Sequence, residues 1–149
     1  MIRAGTASHA AAALCCLLLA WCTTSLAPAP VSALAGMAPL LSVERFLQAA
    51  NARDLEAMTG FFGTHEGLIH GEWRELELRM ATIAEVLRHE DYAIEGEWRE
   101  PGRRYPTTRV MVTLTKGGRQ IRGVPFLVVR TESGGWVVEQ VDLEHVMRG

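Results

Sequence analysis

Chemistry in this chain would have to come from carboxylates and histidines, because its three cysteines, Cys15, Cys16 and Cys22, all lie near the N-terminus. The remainder therefore carries no disulfide, no thiolate metal site and no cysteine nucleophile. The carboxylate best placed for chemistry is Asp142, in a run with Trp136, Val138 and Gln140 at every second position. A carboxyl group lining a mostly apolar pocket has its charged form disfavoured and can serve as acid or base. If the other face of that run is the buried one, Asp142 and Glu144 are solvated instead. Alternation alone does not name the inner face. Candidate partners for Asp142 are His65, His70 and His89, and nothing in their spacing brings them to it.

Two further clusters invite a functional reading. His65-Glu66 and His70 with Glu72 offer metal-ligand types, but His-x4-His in a loop is not a ligand spacing. Polar surface and helix-capping contacts account for them better, and no metal or cofactor is called for. Trp73, Trp98, Trp136, Tyr92 and Tyr105 could wall an apolar ligand, although aromatic residues at helical or strand period are more often core. Trp73, Tyr92, Trp136, Gln140 and Asp142 are the expected ligand-binding set. Arg99, Arg103, Arg104 and Arg109 form a basic loop whose field is offset by Glu95, Glu97 and Glu100.

These residues must be positioned by one small domain. The chain has 149 residues, 48% of them hydrophobic, with 17 Asp and Glu against 15 Lys and Arg. A near-balanced, slightly acidic charge argues against nucleic acid, which demands a concentrated basic face.

Residues 1–22 read as a signal or lipoprotein leader. Ala10 to Trp21 is an apolar run too short for a comfortable membrane span and suited to a signal core. Leu19-Ala20-Trp21-Cys22 resembles a lipobox, with Trp21 in place of the usual small residue, and makes Cys22 the lipidation candidate. Ala33-Leu34-Ala35 is the competing cleavage site, giving a leader of 1–35. Residues 23–41, rich in alanine, proline and serine, read as a disordered linker. The expected destination is the periplasm, with the membrane reached through a lipid anchor.

Residues 42–149 form the domain. Ser42 is expected to cap a first helix bearing Val43, Phe46, Leu47 and Ala50. Asp54 caps a shorter one ending at Gly63, and Thr64 to Gly71 is a polar loop. A long helix over Glu72 to Glu90 buries Trp73, Leu76, Met80, Ile83 and Leu87, while Glu75–Arg79 and Glu85–Arg88 pair on its solvated face. Strands follow at Tyr92–Trp98, Arg109–Thr115, Gln120–Arg130 and Gly135–Val146, with hairpins at Gly117-Gly118 and Gly134-Gly135. Pro125 marks an edge position or a bulge. The expectation is an α+β fold, with N-terminal helices packed on a curved four-stranded antiparallel sheet.

Three segments carry a family resemblance: Phe46 to Met58, with its D-x-x-A-h step at Asp54, Gly134-Gly135-Trp136-Val137-Val138, and Phe61-Phe62-Gly63-Thr64. They resemble the nuclear transport factor 2-like (cystatin-like, SnoaL-like) superfamily, and the last is similar to small bacterial lipoproteins of that type. The resemblance implies a cone-like α+β barrel around a long helix, and a homodimer through the sheet. The enzymes of that group need an oxyanion-donating tyrosine on the first helix or an Asp/His pair in the cone. This first helix has Phe46 and no tyrosine. The functional expectation is thus a non-catalytic envelope domain that binds a small apolar ligand or an envelope protein. The alternative is a small isomerase or dehydratase with Asp142 as base.

Overall fold

The computed structural model describes residues 38–149. The leader, Cys22, Ala35 and most of the expected linker lie outside the described residues. The elements run α1 (Pro39–Ala52), α2 (Leu55–Thr59), β1 (Gly63–Thr64), β2 (Gly67–Leu68), α3 (Trp73–Leu87), β3 (Asp91–Arg99), β4 (Thr107–Lys116), β5 (Arg119–Arg130), β6 (Trp136–Val141) and α4 (Leu143–Arg148). The class is α+β, with an antiparallel sheet in the order β3-β4-β5-β6. That sheet is open, with β3 and β6 at its ends, so the expected barrel closure is absent.

Helix α1 is capped at Ala38, four residues before the expected cap Ser42. Pro39 occupies the first turn, where its fixed φ suits the helix and its missing N–H leaves no broken bond. Val43, Phe46, Leu47 and Ala50 are all buried, as their spacing requires. The helix ends at Arg53, in the left-handed region at φ 56. Asp54 then caps α2, its Oδ1 accepting from the N–H of Ala57 at 2.9 Å. Helix α2 stops at Thr59 rather than Gly63, and the expected polar loop contains the short β1–β2 hairpin. Only glycine fits at position 63, because a Cβ there would lie 2.2 Å from the carbonyl oxygen of Gly67. Just before it, Phe62 bridges in parallel to Val138 of β6.

Helix α3 buries Met80, Ile83, Ala84 and Leu87. Trp73, expected on the same stripe, is 49% exposed because the first turn of α3 runs past the core. The β4–β5 hairpin turns on Gly117 and Gly118 at φ 56 and 73, both positive as a two-residue primed turn demands.

Three irregularities set which side chains face the helices. Ile94 pairs with Val112 and Gly96 with Met111, which leaves Glu95 as an extra residue in β3. Tyr92 and Ile94 therefore share the inner face with Leu114 and Val112, whereas Trp98, opposite Arg109, lands on the outer face. A second bulge places Arg122 and Gly123 opposite Thr113, with Gly123 at φ 67. Pro125, two residues further on, pairs regularly with Met111 and lies just past the end of β6, whose last pair is Val141 with Phe126, so its missing N–H falls where β5 has a strand on one side only. A third, at Glu139, brings Val141 to the same side as Val138.

The inner face is thus Val110, Val112, Leu114, Val124, Phe126, Val128 and Val138, packed on α1, α2 and α3. Phe46, Phe126, Leu47, Met58, Met80 and Leu87 are fully buried and fill the space between the layers. On the other side Val129 and Val137 are covered by Phe61 and Leu68.

Candidate functional site

Where the C-terminal end of β6 meets α3, the two layers part and leave a cleft of about 340 Å3. That is at the low end of the roughly 300–1,000 Å3 usual for small-molecule sites. Phe62, Ile83, Val141 and Leu143 form its apolar wall; Arg79, Thr82, Glu139 and Gln140 supply polar groups.

Each element contributes for a local reason. Arg79, Thr82 and Ile83 lie three and four residues apart, so they project along one side of α3. The bulge at Glu139 breaks the alternation of β6 just where the strand borders the cleft. Phe62 is fixed by its bridge to Val138 and by stacking on Phe46, with ring centroids 5.7 Å apart. The guanidinium of Arg79 lies over the same ring, 4.9 Å from the Phe62 centroid. A cation held on a ring face in this way gains about 0.5–1 kcal/mol at an exposed site. The expected Glu75–Arg79 pair is not among the ion pairs of the described residues, whereas Glu85–Arg88 is, at 3.4 Å. Glu139 is taken up by Arg103, which donates to its carboxylate.

Of the residues expected to bind ligand, only Gln140 lines this cleft. Asp142 is not a strand residue: β6 ends at Val141, and Asp142 caps α4, accepting from the N–H of His145 at 2.9 Å. The signal for this lies in the sequence, because Asp142-Leu143-Glu144-His145-Val146 repeats the pattern Asp54-Leu55-Glu56-Ala57-Met58 that caps α2. Tyr92 sits at the far end of the sheet on β3, its hydroxyl 3.5 Å from Glu44 and from Gln48. Trp136 opens β6 and packs on the core, away from the cleft. Trp73 is exposed and does not line the cleft.

Of the three candidate histidines, His70 is exposed and the other two are committed elsewhere. His65 stacks on Tyr105 at 3.6 Å and bonds through Nδ1 to the carbonyl of Arg130. His89 is buried, with Nδ1 on the carbonyl of Leu87. No hydrogen bond among the described residues joins a histidine ring to Asp142. Nor do the described residues contain a group of three or more His, Cys, Asp or Glu side chains placed to hold a metal ion.

A second, larger cleft of about 470 Å3 lies outside the sheet, between Trp98, Pro101, Arg109 and Met111. It is lined by two arginines, Arg99 and Arg109, and the second donates to Glu100 at 2.7 Å. Trp98 there is 54% exposed and Tyr105 38%, so the aromatic residues do not form a common wall. Sequence reading missed Arg79 because its position four residues after Glu75 gives it an ordinary helical partner. Only the fold brings Phe62 beneath it.

Compared with protein-family models, with curated proteins and with solved structures, the chain matches none.

Proposed function

We propose that this chain is an exported, lipid-anchored, non-catalytic domain of the nuclear transport factor 2-like type, and that it holds a small apolar ligand at the α3–β6 cleft. The observation that carries the reading is the cleft itself: an apolar wall with a few convergent polar groups, set beside a filled core. Support for a binding role over a catalytic one comes from Asp142, whose carboxylate is engaged in capping α4. The helix-first order, the open curled sheet and the Phe62 bridge beside β6 favour a cone whose mouth is this cleft. The leader favours delivery to the periplasm with Cys22 as the anchor. The outer sheet face, with Trp98, Met111, Pro125 and Leu127, favours a homodimer through the sheet.

Ligand-detected NMR with small apolar compounds, on the wild type and on Thr82→Trp, tests the binding role. Saturation transfer that vanishes when the tryptophan fills the cleft supports it; transfer unchanged by Thr82→Trp overturns it. Mass spectrometry of the mature N-terminus tests the anchor: a diacylated Cys22 supports it, and a free Gly36 replaces it with a soluble periplasmic protein.

A further inference from the structure

The polar groups of the α3–β6 cleft are unequal in sign once their existing partners are counted. Glu139, its carboxylate, already accepts from Arg103. Thr82 donates its hydroxyl proton to the carbonyl of Leu78 at 2.9 Å. Arg79 has no carboxylate partner among the described residues, and its guanidinium is steadied on the face of Phe62. Gln140 edges the cleft but pairs with Leu127 and alternates with the inward Val141, so its amide belongs to the outer face of the sheet, away from Arg79. Arg79 is therefore the one charged side chain of the cleft without an ionic partner among the described residues, a permanently charged N–H donor. Beside it stand Phe62, Ile83, Val141 and Leu143.

We infer that the cleft selects an apolar carboxylic acid, with one hydrocarbon chain or small ring against the apolar wall and the carboxylate on Arg79. This rests on the binding role proposed above. A carboxylate is acceptor-only, and the planar fork of a guanidinium matches its two oxygens. An alcohol or amide of the same length would fill the wall equally well and lose the charged contact. A doubly charged phosphate would bring charge that one arginine does not neutralise.

The test compares decanoate with decanol, titrated by calorimetry into the purified full chain at neutral pH. The wild type is expected to bind decanoate about tenfold tighter, a modest return for a charge-assisted contact at a part-exposed site. Arg79→Met should abolish that preference by weakening decanoate alone, and Thr82→Trp should remove binding of both. Equal affinities for the two probes in the wild type, or a preference that survives Arg79→Met, would overturn selection by charge and leave a cleft that binds apolar compounds of any kind. Failure of both probes to bind, or binding indifferent to Thr82→Trp, would overturn the binding role and this inference with it. The wild-type comparison needs no variant, so the outcome does not depend on how a substitution folds.

Discussion

The hydroxyl of Ser42 donates to the carbonyl oxygen of Trp136 at 2.8 Å, across 94 positions of sequence. Ser42 is wholly buried in the first turn of α1, so this bond ties the start of α1 to the start of β6. Removing a buried donor costs more than the bond's net worth, because the acceptor loses its partner. Ser42→Ala is expected to lower stability by about 1–2 kcal/mol. Urea denaturation measures it, and an unchanged midpoint at an unchanged m-value would show that the bond contributes nothing.

Arg53 occupies a left-handed backbone position at φ 56, where a side chain is strained and glycine is not. It also pairs with Glu85 at 3.2 Å, but both side chains are more than half exposed. An exposed pair of that kind is worth about 0–1 kcal/mol. The backbone effect should win. Arg53→Gly is expected to raise stability by about 0.5–1 kcal/mol, read as a higher melting temperature. A lower one would mean that the ion pair outweighs the strain.

Gly96 lies under the ring of Trp98, and a Cβ there would be 2.9 Å from Cη2. The ring is more than half exposed, so it can swing away rather than unfold the sheet. Gly96→Ala should move the Trp98 indole into water and, because Gly96 sits at φ 159, also strain the backbone, at a cost of about 1–3 kcal/mol. The indole N–H resonance, assigned with Trp98→Phe, would shift while the other tryptophans stay put. An unmoved resonance would remove the case for packing of ring on glycine.

Asp142 serves α4 as a cap. Asp142→Ala is expected to cost about 1 kcal/mol, and Asp142→Asn only a small part of that, because asparagine caps about as well. Amide exchange of Val146 and Met147 reports fraying of that last turn. Equal exchange in the wild type and in Asp142→Ala would show that α4 is held by packing of Val146 alone.

Local sequence settled what depends on near neighbours. The stripe Val43, Phe46, Leu47, Ala50, the Asp54 cap and the Gly117-Gly118 turn each follow from interactions within a few residues, and each is present. The order of four antiparallel strands follows from the hairpins that join them. Even the α4 cap was legible, since it repeats the Asp54 pattern, though the alternating Val137, Val141 and Leu143 masks it.

The tertiary structure decided what depends on register. Extra residues at Glu95, at Arg122-Gly123 and at Glu139 are accommodated only because the partner strands hold the ladder on either side. Each one exchanges the faces of the sheet for everything beyond it, which is why Trp98 turned outward and Val141 inward. Arg79 over Phe62 likewise joins residues of separate elements, which helical spacing alone does not bring together. Periodicity is a property of one segment, and the cleft is made by how segments meet.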